Sequence, residues 1–113
     1  MPVYKLDALP NEMLTPKYSA GAGSTVGGEQ IEVGRVTFPA GTGAIQHAHP
    51  NEQICFVLAG RARLRIGDEG EADVRPGDAW LVPSGVLHSI TVTEALTMIT
   101  CKNLVGGMGH RIP

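Results

Sequence analysis

Gly41-Thr-Gly-Ala-Ile-Gln-His47-Ala-His49-Pro-Asn-Glu-Gln53-Ile-Cys-Phe-Val-Leu-Ala-Gly60 is the stretch around which the rest of the chain is organised. Side chains of an extended strand alternate faces, so the odd-numbered His47, His49 and Gln53 point the same way if the strand stays regular past Pro50. Two imidazoles and an amide then converge. Imidazole suits zinc, iron, nickel and copper, and an amide oxygen is an acceptable harder partner, so a divalent transition metal is the natural occupant. Alone, His-x-His on a strand is weak, because such alternation arises often by chance in surface and core strands. A further candidate, His88, follows Pro83-Ser-Gly85-Val-Leu far along the chain, and a closed β architecture is what would return it to the same place.

Glycines punctuate both segments. Gly41 precedes His47, Gly60 follows Gln53, and Gly77-x5-Pro83-x-Gly85-x2-His88 repeats the order glycine, strand, turn, histidine. On these residues the chain resembles a small single-domain cupin. The first cupin motif matches from Gly41 to Gly60, with Gln53 where the motif has glutamate, and the second matches from Gly77 to His88, with Val92 where it has asparagine. The resemblance implies an all-β cupin jelly-roll barrel of two antiparallel sheets and a homodimer. It also implies that His47, His49, Gln53 and His88 take the four ligand positions for one divalent transition metal per chain, with nickel, zinc, iron and manganese admissible. Glu52 stays open as an alternative to Gln53, since a bulge after Pro50 would turn it inward; strand parity favours Gln53.

Composition agrees with one small β domain. The 113 residues suffice for one modest core, and 15 glycines and 8 prolines without a fixed period favour many turns between short strands. Nine basic against 11 acidic side chains, a formal net charge of -2, give no footprint for nucleic acid or an anionic membrane, so neither is expected as a partner. No long apolar run of a signal peptide or membrane helix occurs, and a cytoplasmic protein is expected. Cys55 and Cys101 lie in apolar runs and read as small buried hydrophobes, not as a disulfide.

Along the chain, residues 1–28 divide into an arm interrupted by Pro2, Pro10 and Pro16 and a glycine-rich loop from Ser19 to Gly28. The apolar residues of the arm are expected to cover a sheet edge or reach a second subunit. The barrel is expected over 29–104. A strand from Gln30 to Phe38 switches face near Gly34, which suggests a bulge. The metal strand is expected from Ile45 to Leu58, and further strands over residues 61–66, 71–74, 79–82, 87–92 and 96–102. Arg61, Arg63 and Arg65 share one face of their strand, which reads as an outward, solvated surface. Trp80 reads as pocket lining, subunit contact or ordinary packing. The tail, 105–113, is expected to be mobile, with His110 exposed to solvent.

Three neutral imidazoles and a neutral amide leave a divalent ion its full charge, which suits polarisation of a carbonyl or enol oxygen. A small-molecule substrate and a metal-dependent lyase, isomerase or cyclase are therefore expected. Cupins with this ligand set resemble those acting on sugar acids of pectin or in polyketide ring closure. Asn103 stands where the pectin enzymes have a late-strand aspartate, and their arginine has no counterpart in register. An iron-dependent dioxygenase and a non-catalytic sugar- or effector-binding module are the alternatives. No general base is assigned: Glu52 and Asp78 are the nearest carboxylates in sequence, with Tyr18 and Lys102 no better placed.

Overall fold

The computed structural model describes residues 2–111 as eight strands and one turn of 3-10 helix at Leu6–Ala8. The strands are β1 (Glu12–Met13), β2 (Ala22–Gly27), β3 (Ile31–Phe38), β4 (Gly43–His47), β5 (Gln53–Ile66), β6 (Glu71–Val74), β7 (Ala79–Val82) and β8 (His88–Asn103). Every ladder is antiparallel. The two long strands, β5 and β8, serve both walls of a jelly roll. Residues 53–57 of β5 pair with the second half of β8 and with β7, and β3, β2 and β1 continue that wall. Residues 62–66 pair with the first half of β8 and with β6, while β4 flanks β8 on the other side.

Both long strands must bend between the walls, and the ladder slips its register between Val57 and Ala62. Gly60 sits in that slip with φ of 89°, and a Cβ there would lie 2.0 Å from the Ala95 carbonyl oxygen, so only glycine fits. Across the bend the inward parity of β5 inverts, from Cys55 and Val57 to Ala62 and Leu64. These residues pack with Val36, Phe38, Val92, Leu96, Met98 and Leu14 of the arm into one core. Each such large apolar side chain contributes roughly 1.5–3 kcal/mol when removed from water. Arg61, Arg63 and Arg65 do face outward; Arg63 lies 3.1 Å from Asp73 and Arg65 3.3 Å from Glu71.

Several local expectations are corrected. The glycine-rich segment before residue 28 contains β2, because Gly23 lets that strand press against β3 where a Cβ would lie 2.1 Å from the Arg35 carbonyl oxygen. There is no bulge at Gly34: β3 pairs with β8 without interruption from Ile31↔Asn103 to Phe38↔Leu96. Its inward positions are Glu32, Gly34, Val36 and Phe38, and the first two do not read as a core face. The expected strand over residues 45–58 is two strands with a connection at 48–52, and the last two expected strands are one, β8. Cys101 is exposed, and both thiols are free.

The arm closes its own barrel. β1 covers the edge of β2, and the chain around Ser19 bridges to Ala44 on β4. The C-terminal segment folds back as well: the Asn51 amide donates to the carbonyls of Asn103 at 2.7 Å and Met108 at 2.8 Å. His110 is consequently only 4 % exposed, not a solvated tail residue. Residues 1 and 112–113 of the expected arm and tail lie outside the described residues.

Candidate metal centre

His47, His49 and His88 come together so that their ligand atoms all lie within 4.8 Å of one another. Convergence does not arise from one regular strand. His47 ends β4 and pairs in register with His88, which begins β8. His49 belongs to the following connection, anchored where its carbonyl accepts from the Gly85 N–H at 2.8 Å. Gln53 then opens β5. The turn at Pro83 to Gly85 thus braces the His49 segment and delivers His88.

Each imidazole is oriented by the backbone. The Nδ1 of His47 donates to the Ile45 carbonyl at 2.6 Å, that of His49 to the Asn51 carbonyl at 3.0 Å, and that of His88 to the Val86 carbonyl at 2.9 Å. A carbonyl only accepts, so in the neutral ring the proton is on Nδ1 and the Nε2 lone pair is left for a ligand. Neutrality is favoured as well. Burial lowers the pKa of all three, and for His49, where the charge of Lys102 adds to it, the value falls to about 4.

Gln53 faces the same point, with Oε1 3.1 Å from His49 Nε2, whereas Glu52 is exposed. The Gln53 amide group donates to Thr100 Oγ1 at 2.8 Å, which directs its oxygen toward the histidines. A neutral His49 therefore presents a lone pair to an oxygen that also only accepts. A cation engages both atoms, and three nitrogens with one oxygen is a donor set fitted to a divalent transition metal.

Behind Gln53 runs a hydrogen-bond chain that sequence reasoning missed. Glu32 Oε1 accepts from both the backbone N–H and Nδ1 of His110, each at 2.6 Å. His110 Nε2 is then an acceptor, and Thr100 Oγ1 donates to it at 3.0 Å. Thr100 has only its lone pairs left for the Gln53 amide. Glu32 thereby fixes, through two intermediates, which end of Gln53 faces the three histidines. Gly109 makes this possible, since a Cβ there would lie 2.6 Å from Glu32 Oε1. The parity of Glu32 with Val36 and Phe38 was the available signal.

The site lines a cavity of about 80 Å³ whose other walls include Tyr18, Phe38, Trp80, Met98 and Lys102. Tyr18 stacks on His47 with ring centroids 3.9 Å apart, and burial raises its pKa. Among the described residues no carboxylate lines the cavity. Asp78 instead caps its own turn, accepting from the Arg75 N–H at 3.0 Å.

A barrel of this form with histidines gathered at strand ends defines a class, and the chain belongs to it: residues 34–101 match the cupin domain, so this is a cupin. It is 36% identical over 58 residues to an uncharacterised protein of Streptomyces coelicolor, a match covering 51% of this chain and 54% of that protein. The chain thus aligns with about half the length of that relative. Similar solved structures include an RmlC-like cupin from Shewanella frigidimarina, with a TM-score of 0.75 at 17% identity over 86% of this chain and 85% of that one. KdgF from Halomonas sp. gives 0.74 at 20% identity, covering 86% and 89%. A tryptophan-to-phenylalanine variant of Bacillus subtilis oxalate decarboxylase gives 0.75 at 22%, covering 88% of this chain and 28% of that one. At these identities the likeness concerns the fold.

Proposed function

We propose that this cupin holds one divalent transition metal through His47, His49, Gln53 and His88 and carries out a non-redox reaction, of the lyase, isomerase or cyclase type, on a small oxygenated molecule. The observation that carries the reading is the donor set: three imidazoles with Nδ1 tied to backbone carbonyls, and an amide oxygen held toward His49. When bound, such a metal supplies a Lewis acid with its charge undiminished by a carboxylate ligand. The protein supplies a largely apolar pocket, and Tyr18 of its wall, whose phenol burial keeps protonated, stacks on the His47 ring.

The cavity of about 80 Å³ favours a compact substrate over a fused-ring polyketide, since pockets for drug-sized ligands span roughly 300–1,000 Å³. The oxalate decarboxylase neighbour, whose name states action on a small dicarboxylate, supports the same size class. Elemental analysis of purified protein tests the centre: about one equivalent of metal is expected in the wild type and little in His49→Ala. Equal metal content in both would rule out the site. Assays on keto acids and unsaturated uronates then test the reaction, and activity that consumed oxygen stoichiometrically would replace the non-redox assignment with a dioxygenase.

A homodimer belongs to the same reading. The arm is accommodated within its own barrel, so support now comes from the outer sheet, where Ile54, Phe56 and Leu58 of β5 and Leu81 of β7 are exposed and Ile54 faces Leu81 across the ladder. Exposed apolar side chains gathered on one sheet face support an interface between two copies. Light scattering should give twice the mass of one chain for the wild type and a monomer for Phe56→Glu.

A further inference from the structure

We propose that Lys102 is the anchor for a carboxylate, so that the molecule taken by this cavity is a small organic anion of the 2-oxo-acid or enol-acid type. Lys102 stands on the inward face of β8, in a row with Glu32 on β3 and Gln53 on β5. Its side chain lines the cavity and the residue is only 5 % exposed. An ammonium has three donors, and the one hydrogen bond it makes among the described residues is a long one, to the Gly109 carbonyl at 3.4 Å. No carboxylate lies within ion-pair distance of it among those residues, and Glu32 Oε1, the acid oxygen on its row, already accepts two N–H groups from His110.

A purely structural role fits poorly. A methionine would fill similar volume without a buried charge, and an unpaired buried ammonium is strongly unfavourable. Glu32, the neighbour of Lys102 across the ladder, is not within ion-pair distance and is engaged by His110, so a carboxylate brought into the cavity is the partner that can meet the ammonium directly. Apolar walls such as Phe38 and Met98 lower the local dielectric, which strengthens the attraction between ammonium and carboxylate. Lysine and the three histidines line the same cavity, so a compact anion with its carboxylate at Lys102 can direct a second oxygen toward the imidazoles. That second contact rests on the proposed metal centre; the first does not.

The test titrates pyruvate into wild type and Lys102→Met by calorimetry, each with metal loaded and after chelator treatment, with methyl pyruvate as the uncharged control. Expected is pyruvate binding by the wild type that weakens about tenfold or more in Lys102→Met, the scale of one charge-assisted hydrogen bond, at unchanged metal content. Methyl pyruvate should not distinguish the two proteins. Lys102→Gln is carried in parallel, with circular dichroism confirming the fold of both variants. Equal pyruvate affinity in wild type and both variants, or no binding of pyruvate to the wild type at millimolar concentration, would overturn the proposal. Failure of the metal centre reads differently: the wild type would contain no metal, while Lys102-dependent pyruvate binding would persist in chelator-treated protein.

Discussion

Replacing Lys102 by Met should make the protein more stable, and the magnitude follows from the lysine's environment. Burial lowers the Lys102 pKa from 10.5 to about 8, and nearby Cys55 and Glu32 only partly oppose that. At about 1.4 kcal/mol for each tenfold change in proton affinity, the charged form is disfavoured in the fold by roughly 3 kcal/mol. The sign is unambiguous: between pH 8 and 10.5 the unfolded chain binds more protons than the folded one, so stability rises with pH through that window. Below pH 8 the folded protein carries the full penalty. Urea denaturation of metal-free protein at pH 7 should therefore show Lys102→Met more stable by about 1–3 kcal/mol, the lower end allowing for repacking around the thioether. The variant should also lack the wild type's rise between pH 8 and 10. A variant no more stable than wild type at pH 7, with the same rise at alkaline pH, would refute the account of Lys102 as a buried charge only partly compensated by its surroundings.

Acid should act through the histidines: His49 titrates near 4 in the fold against 6.5 when free, so the unfolded chain takes up more protons in that interval and stability falls as pH drops through it. A urea midpoint unchanged from pH 6.5 to 4 in chelator-treated protein would contradict this. Gln53→Glu should retain or tighten the metal, an anion replacing a neutral ligand, while slowing turnover; an unchanged rate would remove the electrostatic reason for glutamine at this position. Glu32→Gln and Thr100→Val should each weaken metal binding by about 10–100-fold, as loss of a supporting hydrogen bond does elsewhere. In a Gln53→Ala background those same changes should have little further effect, and additive losses in a double-mutant cycle would show that they act other than through Gln53.

The residues of the candidate centre were legible because cupin spacing is local: His47, His49 and Gln53 lie within one glycine-bounded stretch, and His88 follows a turn read from Pro83 and Gly85. The route to convergence was not. Strand parity treats the stretch as one regular element, whereas the chain breaks at residues 48–52 and His47 meets His88 through the ladder of β4 with β8. Glu32 and His110 escaped notice for two physical reasons. Their partnership spans 78 residues, and a charged inward position beside Gly34 interrupts the apolar alternation by which a core face is recognised. β2 was hidden similarly, since close approach of two backbones selects glycine, which local propensity reads as loop.

The position of His110 also has a consequence in time. The eight strands of the described residues all precede it, so their ladders can form before the segment bearing the imidazole that sets Thr100 and Gln53 has docked. Until then the Gln53 amide is free to turn either end toward the histidines. On the proposed ligand set, docking of His110 between Glu32 and Thr100 is therefore the step that commits the Gln53 oxygen to the metal.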